Sequence, residues 1–219
     1  MRMLAHSEDG ARRVRVIEHR HDSSRLYYDG GALYTHIDAG GFNLLEYING
    51  MDEALGAAPD VLLLGTAGGA LATQLSRRKV EVTAVDDWAA AFDIARAWFH
   101  LPQEVRCVHA DALAFLRVTT ERFAAIAVDV FHGLEIPESV LTSEIGALLL
   151  RALKPGGVIV WNVADHPKSW TVRWIVEALT LEGLQPKLVS VYDDDLGNTL
   201  VVCRHTPVAV AAGEALDAA

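Results

Sequence analysis

The sequence is poor in cysteine, in long apolar runs and in basic residues. Its 219 residues include two cysteines, Cys107 and Cys203, which lie in strand-like apolar runs without metal-ligand spacing. This pattern predicts reduced core thiols, no metal site and a cytoplasmic protein. The apolar runs are too short and too interrupted to span a bilayer, so we expect no membrane association. With 19 basic against 29 acidic residues, the net charge is −10, which argues against nucleic acid as a partner and is compatible with a cationic ligand.

Three regions differ in pattern. Residues 1–41 begin with a charged stretch that lacks the apolar core of a signal peptide, and their alternating segments "RRVRVIEHR" and "RLYYDGGALYTHID" predict a β-hairpin region. His19 and His21 would share one face of a strand, where solvent exposure is a commoner reason for histidine than metal binding. Residues 42–205 form the main predicted domain, and the Ala-rich residues 206–219 predict a disordered tail.

Strand-like and helical segments alternate through residues 42–205. The predicted strands are "DVLLLG", "VEVTAVD", "VRCVHA", "FAAIAVDV" and "VIVWNV", and the predicted helices between and after them end with "WTVRWIVEALTLEG". We interpret "KPGG" as a helix stop. Such alternation predicts an α/β fold with a mostly parallel sheet and helices on both faces. The last segments, "LQPKLVSVYDDD" and "GNTLVVCRH", predict a hairpin that adds an antiparallel strand at one edge, with "PKLVSVY" parallel to the core strands.

A small-residue turn follows the first of these strands. It consists of Gly65, Thr66, Ala67, Gly68 and Gly69 and precedes a predicted helix. Small residues allow a ligand to approach the backbone, and the amides at a helix N-terminus bind anionic or polar groups. Packing at a tight strand-to-helix turn would explain the same residues equally well.

Acidic residues end the next two strands. Asp86, followed by Asp87, lies about 20 residues beyond the glycine turn, where a carboxylate can bind both ribose hydroxyls. Asp111 and Ala112 begin the helix after the third strand, where Asp111 could contact an adenine amino group or cap the helix. The turn and the acidic strand ends together predict an adenosine-containing ligand.

Residues 61–163 resemble a class I S-adenosylmethionine-dependent methyltransferase and, more narrowly, the spermidine synthase family of polyamine aminopropyltransferases. The resemblance rests on "VTAVDDWAAAFDIARAWFHLP", "HADALAFLR", "IAVDVFHGLEIPESVLTSEIGALLLRALKPGG" and the N-terminal "RLYYDGGALYTHID". It implies a Rossmann-like seven-stranded sheet with an antiparallel last strand and a small N-terminal β region. It also implies that S-adenosylmethionine or its decarboxylated form is bound by residues 65–69, Asp86, Asp87, Asp111, Ala112 and Asp129.

The sequence departs from the spermidine synthase pattern at three places. Gly68 stands where the family usually carries the Asp that holds the aminopropyl amine. Phe42-Asn43-Leu44 replaces the family's Tyr-His-Glu segment, and His132 replaces the second carboxylate of the catalytic Asp-x-x-Asp loop. A buried ammonium group needs paired carboxylates, so these departures predict that putrescine is a poor acceptor.

Two residues remain as candidates for the chemistry. Asp129 closes an apolar strand, where a carboxylate has a raised pKa and suits a general base; a loop-capping role is the alternative. His132 is either a second base or a solvated loop residue. Trp161, Asn162 and Trp170 could line an acceptor pocket, although core or lid packing is the commoner role of such aromatics.

The sequence thus predicts a transferase that moves a methyl or other alkyl group from S-adenosylmethionine, or its decarboxylated form, to a small acceptor. Methyl transfer is favoured because Gly68 offers no carboxylate. Aminopropyl transfer and a non-catalytic nucleoside-binding module remain alternatives. Asp193, Asp194 and Asp195 would lie near the acceptor and favour an amine, unless they form only a solvated turn. A homodimer is left open.

Overall fold

The computed structural model describes residues 1–10, 12–193 and 196–206. Its N-terminal part is a four-stranded antiparallel sheet of β1 (Arg2–Asp9), β2 (Arg12–Glu18), β3 (Arg25–Asp29) and β4 (Ala32–Ile37), in that order. The β-hairpin region is therefore confirmed. The sequence pattern did not indicate β1, because none of its residues is fully buried and no apolar face is present to reveal the strand.

The larger part of the chain alternates strands and helices. Its elements are α1 (Glu46–Leu55), β5 (Asp60–Leu64), α2 (Ala70–Arg77), β6 (Glu81–Asp86), α3 (Ala89–Trp98), β7 (Arg106–His109), α4 (Ala112–Val118), β8 (Phe123–Val128), α5 (Ile145–Ala152), β9 (Leu153–Val163), α6 (Trp170–Leu181), β10 (Lys187–Asp193) and β11 (Leu196–Arg204). Helix α5 ends at Ala152, and one residue separates it from the "KPGG" segment, which belongs to β9. None of the described helices is long and apolar enough to cross a membrane.

The larger sheet has seven strands in the order β10-β11-β9-β8-β5-β6-β7. Strands β5 to β9 pair in parallel, and β11 pairs antiparallel with both β9 and β10. The antiparallel last strand is thus confirmed, and β10 runs parallel to the core strands, as predicted. The predicted edge position of the antiparallel strand is wrong, because β11 is inserted between β9 and the edge strand β10.

Strand β5 shows why the sheet is covered on both faces. Val61 and Leu63 pack into one apolar cluster, and Leu62 and Leu64 pack into the other. The first cluster contains residues of α1, α2, α3 and the N-terminal sheet, and the second contains residues of α4, α5 and α6. These four side chains are buried, which explains the continuous apolar run in the sequence, and the covered sheet confirms the α/β fold. The boundary between residues 41 and 42 stays a prediction, and the predicted tail lies outside the described residues from residue 207 onward.

Candidate active site

A cleft opens at the carboxyl ends of β5, β6, β7 and β8, under the N-terminal sheet. Its volume is about 850 Å³, including the open mouth. The predicted site residues that line it are Gly65, Thr66, Ala67, Asp86, Asp87, Asp111, Ala112 and Asp129. Gly68, Gly69 and His132 do not line it. The loops after four parallel strands therefore converge on one concavity, as expected for the ligand edge of an α/β sheet.

The glycine turn brings two strand ends into direct contact. Gly65 has φ +85°, and a Cβ atom there would lie 2.1 Å from the backbone oxygen of Asp129. Only glycine satisfies both the backbone conformation and the close approach. The need for glycine at this position is thus a packing need, and its result is that Asp129 lies beside the turn.

Asp86 closes the glycine turn from the neighbouring strand. Its carboxylate accepts hydrogen bonds from the backbone amides of Thr66 (2.9 Å), Ala67 (3.3 Å) and Trp88 (3.0 Å). Burial raises the pKa of this carboxyl above its usual value, although the amide hydrogen bonds oppose the shift. A carboxylate oxygen has more than one acceptor site, so Asp86 fixes the turn and still has acceptor capacity toward the cleft.

Asp111 caps helix α4, because its carboxylate accepts from the backbone amide of Ala114 at 2.8 Å. The capping alternative from the sequence is therefore correct. Asp111 also lines the cleft together with Ala112. Its role toward an adenine ring stays a prediction.

An ion-pair network lies at the mouth of the cleft. Arg12 of β2 pairs with Asp29 (2.9 Å) and with Asp87, and Asp87 also contacts Nε2 of His132 at 3.3 Å. His132 and Glu135 close a tight loop through reciprocal backbone hydrogen bonds. The exposed His132 ring is therefore directed to Asp87 at the rim, and its role as a base stays a prediction.

Asp129 faces the cleft from an apolar setting. Burial raises the pKa of its carboxyl to about 6, against the lowering effect of a hydrogen bond that the Asn162 Nδ2 group donates to Oδ1 at 2.8 Å. Asn162 in turn accepts from Nδ2 of Asn198 at 2.8 Å. A carboxylate that titrates near neutrality beside a ligand cleft has the properties of a general base.

An aromatic wall, formed by Tyr27, Tyr34, Tyr47 and Phe131, was not predicted as part of the site. All four side chains line the cleft. The Tyr34 hydroxyl donates to the backbone oxygen of Gly133 at 2.8 Å, and the Tyr47 hydroxyl donates to that of Tyr34 at 3.1 Å. Tyr27 and Tyr34 in "RLYYDGGALYTHID" and Tyr47 at the start of α1 were the available signal, but aromatic residues are equally typical of packing.

Two predicted acceptor-pocket residues are placed elsewhere. Trp161 is fully buried in the core on the opposite face of the sheet, and Trp170 is largely exposed at the start of α6. Neither lines the cleft. Trp161 points away because successive residues of a strand face opposite sides, and its neighbour Asn162 takes the side of Asp129.

Thr35 of β4 reaches into the glycine turn. The Gly68 amide donates to its Oγ1 at 3.1 Å, and a Cβ atom on Gly68 would lie 2.7–2.9 Å from three atoms of the Thr35 side chain. Thr35 is buried, with 1% of its surface exposed. Thr35 therefore fills the space into which an Asp at position 68 would project.

The remaining predicted positions do not form part of the cleft as described. His19 lies in the turn after β2 and contacts Oγ of Ser24 at 3.3 Å, so it does not share a strand face with His21. Within the residues that the structure describes, no cluster of His, Cys, Asp or Glu could hold a metal ion. Asp194 and Asp195 lie outside the described residues, as does the side chain of Asp193.

Sequence comparison finds similarity in the centre of the chain. The family model described as "Methyltransferase domain" matches residues 61–157. A probable polyamine aminopropyl transferase of Bifidobacterium longum is 29% identical over 108 residues, 48% of this chain and 24% of that relative. A polyamine aminopropyltransferase of Chromobacterium violaceum is 33% identical over 107 residues, 47% of this chain and 41% of that relative. The matched region thus spans less than half of the length of either curated relative.

Structural comparison extends the similarity to nearly the whole chain. The crystal structure of a probable spermidine synthase from Corynebacterium glutamicum superimposes with a TM-score of 0.76 at 20% identity, covering 95% of this chain and 82% of that one. That coverage includes the N-terminal sheet as well as the seven-stranded sheet. The chain is therefore spermidine synthase-like and has the class I S-adenosylmethionine-dependent methyltransferase fold.

Proposed function

We propose that the protein is a transferase that uses S-adenosylmethionine, or its decarboxylated form, to alkylate a small cationic acceptor. The observation that carries this proposal is that two carboxylates line the same cleft: Asp86, which ends β6, and Asp129, whose buried carboxyl has a raised pKa. The matching methyltransferase domain covers both residues. A non-catalytic nucleoside-binding module would need Asp86 but not a base at Asp129.

The residues present fit a nucleoside sulfonium. Asp86 would bind the ribose hydroxyls, and Asp111 with Ala112 would contact the adenine ring. When bound, the sulfonium supplies an electrophilic carbon. Asp129 and the aromatic wall favour a positive charge nearby, since carboxylates and aromatic faces both attract cations. Asp129 would also accept a proton from an amine acceptor, while the wall excludes water from the nucleophile.

Methyl transfer is the first candidate for the reaction. In the resembling family, an Asp at the position of Gly68 holds the aminopropyl amine, whereas here Thr35 occupies the corresponding space. Without that carboxylate, the aminopropyl ammonium group of a decarboxylated cofactor would lose its charged partner at this position.

Aminopropyl transfer is the second candidate, and a different observation favours it. Every amide of the glycine turn already donates within the chain: Gly65 to Val85, Thr66 and Ala67 to Asp86, Gly68 to Thr35, and Gly69 to Thr66. A methionine carboxylate would find no free donor in this turn, whereas a decarboxylated cofactor needs none. The curated relatives named above are also aminopropyltransferases.

The test is calorimetry with S-adenosylmethionine, its decarboxylated form and methylthioadenosine, followed by mass spectrometry of reactions with an amine panel that includes putrescine. Methyl transfer predicts preferential binding of S-adenosylmethionine and a product 14 mass units heavier than the acceptor. Spermidine formed from putrescine would establish the second candidate instead. Binding without any product would support the non-catalytic module, and no binding would overturn the nucleoside assignment.

A further inference from the structure

A chain of three side chains runs from the cleft into the sheet. Asn162 lies near the end of β9, with 1% of its surface exposed, and donates from Nδ2 to Oδ1 of Asp129 at 2.8 Å. Asn198 of β11 donates from its own Nδ2 to Oδ1 of Asn162, also at 2.8 Å. The insertion of β11 beside β9 thus places a second amide directly behind the residue that holds Asp129.

The hydrogen bonds at the two ends of the Asn162 side chain have matching directions. A side-chain amide has a donor end and an acceptor end, and it presents one or the other according to its partners. An ionised Asp129 can only accept, so the Nδ2 end of Asn162 faces it, and the donor that Asn198 supplies to Oδ1 of Asn162 supports the same orientation. One carboxylate oxygen of Asp129 is then held, and the structure gives its other oxygen no hydrogen-bond partner within the described residues.

We propose that Asn198 is a positioning residue that acts through Asn162 to orient Asp129, leaving the second oxygen of that carboxylate free to accept the proton of the acceptor. This inference rests on the proposed function for its catalytic meaning. Its structural part, that the ionisation of Asp129 depends on Asn198 through Asn162, can be measured without any enzymatic turnover.

The surroundings of Asp129 make its ionisation a clear readout. Of the described titratable side chains, Tyr34 and Tyr47 interact electrostatically with Asp129, and burial raises the pKa of both well above their usual value. Both tyrosines stay neutral across the range in which Asp129 titrates. The same cleft is also lined by Asp86, Asp87, Asp111 and Arg12. A change at Asn198 that moves this titration therefore reaches Asp129 through Asn162 or through space.

The test replaces Asn198 by Asp and follows Asp129 by carboxyl carbon NMR in protein labelled with ¹³C-aspartate. The Asp129→Asn variant assigns the signal. An ionised carboxylate at position 198 can only accept, so Asn162 turns its Nδ2 toward it and its Oδ1 toward Asp129. We expect the titration midpoint of Asp129 to rise by about one pH unit, a tenfold change in its acid constant.

A double-variant cycle separates this relay from a simple charge effect. In an Asn162→Leu background, the relay is already absent, so Asn198→Asp should move Asp129 by no more than about 0.3 units. An equal shift in both backgrounds, or no shift in either, would overturn the proposal. Asn198→Leu adds no charge and should give a smaller rise than Asn198→Asp in otherwise unaltered protein.

A matched control introduces the same change elsewhere. Asn49 of α1 is exposed and accepts from Nδ2 of Asn43 at 3.0 Å, a hydrogen bond that an Asp at position 49 keeps. Asn49→Asp should leave the Asp129 titration unmoved.

In active protein, Asn198→Asp should also shift the acid limb of the pH profile of kcat/KM to higher pH, with unchanged nucleoside affinity. An NMR shift without measurable transfer in the unaltered protein would sustain the relay and refute only the proposed function.

Discussion

Asp129 is a residue whose expected function opposes stability. The pKa of its carboxyl rises from 3.8 to about 6 on burial, so the folded state binds its proton more tightly than the unfolded chain does. The free energy of unfolding therefore falls as pH rises through this range, and the loss is complete above about pH 7.

Asp129→Asn should separate these two effects. Because Asn162 can still donate to an amide oxygen at this position, we expect the variant to gain about 1–2 kcal/mol in unfolding free energy at pH 8 and nothing at pH 4. Alkyl transfer should fall by about 10²-fold or more. Urea denaturation at both pH values measures the first effect, and a gain that is equal at pH 4 and pH 8 would contradict the ionisation argument.

Asp86→Ala should weaken nucleoside binding by about 2–3 kcal/mol, as expected for lost charge-assisted hydrogen bonds to ribose. The variant also removes the acceptor for the amides of Thr66 and Ala67, so a modest fall in stability accompanies the loss. Calorimetry measures the affinity, and circular dichroism verifies the fold. Asp93→Ala, at an exposed position of α3, serves as control; unchanged affinity in Asp86→Ala would remove Asp86 from the site.

At the level of elements, the contact between Thr35 of β4 and Gly68 of the glycine turn is expected to influence which cofactor is preferred. Gly68→Asp alone should be destabilising by about 1–3 kcal/mol, because its Cβ has no room beside Thr35. Combined with Thr35→Gly, the new carboxylate gains space, and we expect the preference between the two cofactors to move toward the decarboxylated one. The single Thr35→Gly variant controls for the added glycine, and calorimetry with both cofactors measures the shift.

The elements also show what a sequence can predict. The buried parallel strands were predictable, because residues such as Val61 to Leu64 must be apolar on both faces, and turns such as Gly65 must be small. The position of β11 within the sheet was not predictable, because neither Leu200 nor its neighbours in the sequence specify which strands lie beside them. Local pattern likewise could not reveal that Thr35, about 30 residues earlier in the chain, fills the space beside Gly68, or that Trp161 faces the far core.

At the scale of the whole molecule, the charge distribution supports the proposal of a cationic acceptor. The chain carries a net charge of −10, and the cleft is lined by Asp86, Asp87, Asp111 and Asp129 against the single basic residue Arg12. Fields of this kind raise the local concentration of cations and are screened by salt. The same negative charge would repel carboxylic acid acceptors.

The acidic segment Asp193–Asp195 provides a test of this charge argument. We expect its replacement by three Asn residues to weaken amine binding several-fold at low salt and to leave nucleoside binding unchanged. The control neutralises Glu53, Asp93 and Glu104, which are exposed and do not line the cleft. Competition of amines and carboxylic acids at two salt concentrations measures both effects; a preference for anions, or an equal response of the control, would discard the prediction.

The insertion of β11 between β9 and β10 sets an order of assembly during synthesis on the ribosome. A nascent chain that has emerged only through α6 exposes one unpaired edge of β9, and an open edge is a template for pairing with other chains. The last described strand must then enter a position with a neighbour on each side. Because that strand also carries Asn198, the proposed relay from Asn198 through Asn162 to Asp129 can form only after β11 has entered the sheet.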